Sequence, residues 1–310
     1  MSNKSESMFT SRKPVWSEIG HKVERSLSLK HILKAGGLDW TVKQKPVYVA
    51  GKLIPNQKAN IRDSDGEILG IVGDRYKVIQ NSEAFSFVDT LLDEGITIEA
   101  AGSLQNGRRC FMLAKLPDRY MLNDERIDPY LCICNSHDGS LALSIFMMPI
   151  RILCMNHLNF ALKQSKRSWS IKHTGNMQDK LREAHGITAL SANYMTELCK
   201  EINVLNRIKM PEAKVISYID ELTPLPANAT DIQKKNVKSV RDDITTRYFE
   251  APDLKILDKN AYRFINAISD HATHASPLRA TANYQENLFM RTMDGNPLID
   301  KAYTLIKAAS

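Results

Sequence analysis

The apolar positions of this chain change period several times. Residues 26–35 set Leu29, Ile32 and Leu33 at helical spacing and stop at Gly36-Gly37, a C-terminal signal because glycine adopts the left-handed conformation that closes a helix. The period then falls to two. Trp40-Thr41-Val42-Lys43-Gln44 alternates and Val47-Tyr48-Val49 is rich in strand formers. Runs at Ala59-Asn60-Ile61-Arg62 and Ile68-Leu69-Gly70-Ile71-Val72 flank Asp65-Gly66, which predicts a hairpin because the tight turn needs positive φ. The same signal recurs at Asn106-Gly107, between residues 96–100 and 110–116, and at Asp138-Gly139, between 130–135 and 141–146. Asn81 or Ser82 caps a helix through Phe85, Val88 and Leu91 that ends at Gly95. Ile152, Met155, Leu158 and Leu162 recur at three and four residues and predict a helix over 151–163. Helix, hairpin, hairpin, helix over 81–164 reads as α+β: an antiparallel, hairpin-rich sheet with helices on one face.

Beyond Met177 every strong pattern is helical. Helices are predicted over 181–206, after Pro211, over 231–249 and 257–271, and over 297–307. The change of pattern puts a boundary in the 165–176 loop. It gives an α+β domain at 1–176, its core at 60–164, and a mostly helical domain or extension at 177–310. Tyr262, Phe264, Ile265 and Ile268 form an apolar stripe for self-association or for ordinary core packing.

Composition narrows the class. A chain of 310 residues with 43% hydrophobic positions can bury a core without disulfides or metals. No apolar run approaches a membrane span, and the polar N-terminus lacks the apolar stretch of a signal peptide, so the expected compartment is the cytoplasm of a bacterial host. The five cysteines lie mostly in apolar runs, as buried thiols do in a reducing compartment. Cys132-Ile133-Cys134 puts two thiols on one strand face with no second pair at zinc spacing.

Signals for catalysis are poor. No phosphate-binding loop, dinucleotide fingerprint or nucleophile elbow is present. Asp63-Ser64-Asp65-Gly66 has a calcium-loop start without the closing Glu and reads as a turn. His271 and His274, with Asp270 and Glu286 near in sequence, are a weak metal constellation against ordinary histidines at a helix end. Cys154, Asn156 and His157 bring a thiol, an amide and an imidazole into one turn, against the plainer reading of a buried cysteine. No catalytic residue, metal ligand or cofactor is therefore assigned.

Charge is informative. Residues 151–182 hold seven Lys or Arg against one acid, +6 of a net +7. Localised charge attracts a polyanion where scattered charge only solubilises, although such runs are often solvated faces. The residues marked for nucleic acid are Arg108, Arg109, Lys115, Arg151, Asn156, Lys163, Lys166, Arg167, Trp169 and Lys172. The cations would neutralise phosphates, Asn156 would hydrogen-bond one, and Trp169, with Tyr130 or Phe160, would stack bases. Arg108 and Arg109 are adjacent on a strand, so one of the two reaches outward.

Several blocks carry a family resemblance. Gly70-Ile71-Val72-Gly73-Asp74-Arg75-Tyr76-Lys77-Val78-Ile79-Gln80-Asn81-Ser82-Glu83-Ala84-Phe85, Ala101-Gly102-Ser103-Leu104-Gln105-Asn106-Gly107-Arg108-Arg109, Arg151-Ile152-Leu153-Cys154-Met155-Asn156, Gly36-Gly37-Leu38-Asp39-Trp40 and the segment from Asn260-Ala261-Tyr262 to Asp270-His271 resemble the phage/plasmid-like protein family, a domain of unknown function. Trp16-Ser17-Glu18-Ile19-Gly20 departs from the Trp-His-Gly form of that family. The helix–hairpin–hairpin–helix order is similar, more loosely, to the RecT, Red-beta and Erf types of single-strand annealing protein. That likeness implies a homo-oligomer holding single-stranded DNA in a basic groove without nucleotide hydrolysis. The expected function is non-enzymatic binding, and possible annealing, of single strands in a phage or plasmid recombination system. The alternatives are an interaction protein or inhibitor acting on a host protein, and a nucleic-acid-processing enzyme with an unrecognised site.

Overall fold

The computed structural model describes residues 17, 19–22, 28–122, 125–153, 155–158, 160–163, 165–171, 187–277, 281–293 and 295–309. Its architecture is α+β, with antiparallel sheets in the N-terminal half and mostly helices in the C-terminal half. The larger sheet contains β1 (His21–Lys22), β5 (Thr97–Leu104), β6 (Arg109–Lys115), β8 (Glu125–Ser136), β9 (Leu143–Arg151) and β10 (Asn156–His157) in that spatial order. β7 (Tyr120–Leu122) pairs with β8, and β11 (Ser168–Ile171) with β9. A smaller sheet has the order β2 (Val42–Val49), β3 (Lys52–Arg62), β4 (Ile68–Gly73). The turns at Asp65-Gly66, Asn106-Gly107 and Asp138-Gly139 fall between paired strands, with positive φ at each glycine.

The larger sheet is buried on both faces. Its central strands β8 and β9 are therefore near-continuous apolar runs, where a half-solvated strand would alternate. Met112, Ala114, Leu131, Ile133, Ile145 and Met147 face a core shared with the helices. Phe111, Leu113, Cys132, Cys134, Phe146 and Met148 face the other way, onto Phe289 and Met293. Those two belong to α9 (Tyr284–Met293), an element the sequence pattern does not predict. Its buried positions, Phe289, Thr292 and Met293, are too few to set a period. Helices on one face alone is thus corrected to cover on both.

The predicted helix over 151–163 does not form. β9 ends at Arg151, the chain turns with Met155 at φ 57°, and β10 pairs back through Asn156↔Arg151 and His157↔Ile150. The three-and-four spacing comes from a tight turn followed by tertiary burial. Leu158 and Phe160 are fully buried, and Phe160 stacks on Tyr303 with ring centroids 5.2 Å apart.

The remaining helices are α1 (Leu29–Ala35), α2 (Asn81–Ala84), α3 (Val88–Asp93), α4 (Ile187–Arg207), α5 (Glu212–Leu222), α6 (Asp231–Glu250), α7 (Pro252–Lys255), α8 (Ala261–His274) and α10 (Pro297–Ala308). α8 packs on β10, and Ser269 Oγ donates to the His157 carbonyl at 2.7 Å. The stripe of Tyr262, Phe264, Ile265 and Ile268 is buried core and is not free for self-association. The small sheet docks on the β8–β9 turn at Gly70. A Cβ there would come within 2.5 Å of the Asp138 backbone, so only glycine permits the approach.

Candidate functional site

The marked cations meet different fates. Arg151 is fully buried. Its guanidinium binds Glu125 through two nitrogens, one of them Nε at 2.9 Å, and reaches Asp253 Oδ2 at 3.0 Å and the Asp253 carbonyl at 2.9 Å. Tyr262 donates to the same Glu125 at 3.3 Å. Arg151 thus ties the sheet to α7 and α8 and is closed to phosphate. Asn156 is also buried and donates to the Asn266 carbonyl at 3.2 Å. Lys115 pairs with buried Asp128 at 2.7 Å. Burial alone would raise the Asp128 carboxyl, but the bonds from Arg126 and Lys115 outweigh it and hold it below the usual carboxylate range. Arg167 binds Asp300 through Nη1 at 2.8 and 2.9 Å. Arg109 turns to Ser140 at 3.1 Å, while its neighbour Arg108 is exposed. Lys163 and Lys166 are exposed. Lys172 lies outside the described residues, as does Cys154.

The aromatic candidates are less open. Trp169 is half-buried in β11 against the core. Tyr130 is buried, donates to Glu99 at 3.1 Å and carries Lys115 over its ring. The alternative chemistry fares similarly. Asp270 is held by Arg247 at 2.7 Å and Glu286 accepts from the Gln105 backbone, so neither joins His271 and His274, and no cluster able to hold a metal occurs among the described residues. His157 is buried, and burial, then the neighbouring His274, pushes its pKa down to about 3.

A second basic element emerges in the structure. From Trp40 to Arg62 the sequence holds Lys43, Lys45, Lys52, Lys58 and Arg62 and no acid. A near-neutral total for the remainder of the chain conceals this local +5. The stretch folds into the β2–β3 arm, closed by Ala50-Gly51 with φ of 50° and 76°. That pair of left-handed residues is what a two-residue hairpin turn of matching twist requires. Ala-Gly is a weaker turn signal than Asn-Gly, and the hairpin is correspondingly hard to read from sequence. Lys43 pairs with Asp63 and Arg62 with Asp65, both just past the arm. Lys45, Lys52 and Lys58 make no ion pair among the described residues.

The arm kinks where the register shifts between Pro46 and Val47. At the kink Lys45 and Lys58 line a hollow of about 360 Å³ with Pro46, Leu53, Pro55 and one carboxylate, Asp74 from beyond the arm. Tyr48 and Leu53 pair across the strands and are 60% and 54% exposed, so the arm carries an open aromatic ring beside the Leu53 wall of the hollow, with Lys52, paired with Val49, on the other face. Arg62 donates to the Asn106 carbonyl at 3.2 Å, which sets the turn bearing Arg108 at the base of the arm.

A family model described as Domain of unknown function (DUF932) matches residues 68–292. The chain belongs to this family. The DUF932 match takes in β4, the larger sheet apart from β1, and the helices from α2 through α9, and it begins just after the β2–β3 arm. No curated protein and no solved structure matches significantly. No described helix is long and apolar enough to cross a membrane.

Proposed function

We propose that this DUF932 protein binds single-stranded nucleic acid along the β2–β3 arm, without catalysis, as part of a phage or plasmid recombination system. The observation that carries the reading is the acid-free arm, whose lysines Lys45, Lys52 and Lys58 lack carboxylate partners beside exposed Tyr48. Lysines already paired to carboxylates lose as much as they gain on meeting a phosphate, whereas unpaired ones release condensed counterions from the strand. Tyr48 offers a ring on which any base can stack, so binding is sequence-tolerant. Arg108 extends the path at the base of the arm. The proposal takes DNA as the strand and a homo-oligomer as the acting form.

The test is a fluorescence-anisotropy titration of a mixed-sequence single-stranded oligonucleotide at several salt concentrations. The wild type is run beside Lys45→Glu/Lys52→Glu/Lys58→Glu. Binding that weakens with salt is expected, and the variant should lower the log–log salt slope by about 2, at ~0.7 per phosphate contact. Undiminished binding by the folded variant removes the arm from the reading. Absence of binding by the wild type at low salt removes nucleic acid and turns attention to a protein partner.

A further inference from the structure

A cleft of about 700 Å³ opens between α6, the end of α8 and α9, far along the chain from the arm. Its floor is a linked set of ionic groups. His271 Nδ1 and Asp243 Oδ2 lie 2.6 Å apart, and Arg247 Nε donates to the same carboxylate at 2.6 Å. Arg247 also reaches fully buried Asp270 at 2.7 Å. Burial would raise the Asp243 carboxyl, but the bonds from His271 and Arg247 outweigh it and keep the group below the usual range. Asp243 therefore stays an anion and fixes the imidazole. With Nδ1 so engaged, Nε2 is the ring nitrogen left for a ligand.

Arg247 is consumed by Asp243 and Asp270, so the lining offers a ligand Arg291 and the imidazoles of His271 and His274. Arg291 is exposed at the rim and makes no ion pair among the described residues. The wall also carries an apolar and aromatic part, Val240, Leu288, Leu298 and Tyr284, set among polar side chains such as Ser239, Asn287 and Asn296. A compact anion alone would leave that wall unused, and a purely apolar ligand would leave Arg291 and His271 unused. The volume lies within the range of small-molecule sites.

We propose that this cleft binds a nucleoside 5′-monophosphate group, the phosphate at Arg291 and His271 and the ring against Tyr284 and Leu288. Arg291 supplies a forked donor pair suited to phosphate, and the Asp243-braced imidazole supplies a third contact. The same chemistry occurs on a free mononucleotide and on the 5′-phosphorylated end of a strand. The site is separate from the arm and stands whether or not the arm binds nucleic acid.

Isothermal titration of the full chain tests it with purine and pyrimidine 5′-monophosphates, the matching nucleosides and inorganic phosphate. Monophosphates should bind, with nucleosides and inorganic phosphate each at least tenfold weaker. Arg291→Gln and His271→Gln should each weaken binding at least tenfold, and the charge-reversed arm variant should leave it intact. Arg291 is exposed, so its variant isolates ligand contact from folding. A 5′-phosphorylated oligonucleotide that outcompetes its 5′-hydroxyl form on the arm variant assigns the strand end, and equal weakness of the two assigns the free nucleotide. No heat with any monophosphate at millimolar concentration overturns the proposal, as does unchanged affinity in Arg291→Gln.

Discussion

Two stretches of this chain carry comparable positive charge, and among the described residues the fold treats Arg151 and Arg167 of the first and the lysines of the second in opposite ways. Over 151–182 the first cation is locked between Glu125 and Asp253, another is clamped to Asp300, and the strand between them is buried. Over 40–62 the cations stand on a two-stranded arm, with only Lys43 and Arg62 paired. The difference lies in what surrounds each stretch. A strand in the middle of a two-faced sheet must neutralise any charge it brings in, because an unpaired buried ion is expensive. An arm outside the core has no such requirement. Local charge in sequence marks a field only where the backbone keeps it at the surface.

The largest effect expected from this contrast is at Arg151. Arg151→Met strands Glu125 and Asp253 without their cation in the interior, and should cost about 3–5 kcal/mol in urea denaturation. Adding Glu125→Gln should recover part of that loss, since the surviving charge is then smaller. The same substitution at Lys45 should change stability by less than about 0.5 kcal/mol. If Arg151→Met proves as mild as Lys45→Met, the two stretches do not differ in the way argued.

The sheet was legible because its devices are local. Asp65-Gly66, Asn106-Gly107 and Asp138-Gly139 each need positive φ, and strand runs of β-branched and aromatic residues flank them. The long helices after residue 187 were legible by period. The element at 151–163 was not, since a turn at Met155 and the tertiary burial of Leu158 mimic helical spacing. The site was less legible still. Arg151 and Arg108 look alike in sequence, and the positions of Glu125 and Asp253, 26 and 102 residues away, separate them. The arm carried one readable sign, the run of 23 residues from Trp40 to Arg62 without an acid, which a total over the rest of the chain averaged out.

The buried stretch also carries a pH signature that the arm lacks. His157 has an ordinary pKa of 6.5 unfolded and about 3 folded, so the unfolded chain binds the extra proton between those values. Its contribution is complete above pH 6.5 and is lost as pH falls toward 3, at roughly 1.4 kcal/mol per pH unit. Urea midpoints at pH 7, 6 and 5 should fall in the wild type, and His157→Leu should flatten the decline. A wild-type slope unchanged in that variant would show that His157 is not held neutral.

On the arm the corresponding single change is Tyr48→Ala. Base stacking on an exposed aromatic is worth about 1–3 kcal/mol, so the variant should bind the single-stranded oligonucleotide about fivefold or more weakly with its salt slope unchanged. The unchanged slope is the discriminating part. A loss of slope would mean that the substitution had displaced the lysines, not removed a stacking surface.

The smallest expected effect falls on Lys163 and Lys166, the exposed lysines among the described residues of the first stretch. They lie in the loop leading into β11, where Arg167 and the Ala161 backbone both engage Asp300, which supplies negative charge nearby. Reversing both to Glu should leave folding within about 0.5 kcal/mol, because neither side chain makes an ion pair among the described residues. If the arm is the principal surface, the double variant should also weaken oligonucleotide binding less than threefold. Arg167→Glu is a poor substitute for this test, since it sets a second acid against Asp300 and confounds binding with stability. A tenfold loss in Lys163→Glu/Lys166→Glu would mean that the strand runs past both stretches, and that burial has removed only part of the first one from the binding surface.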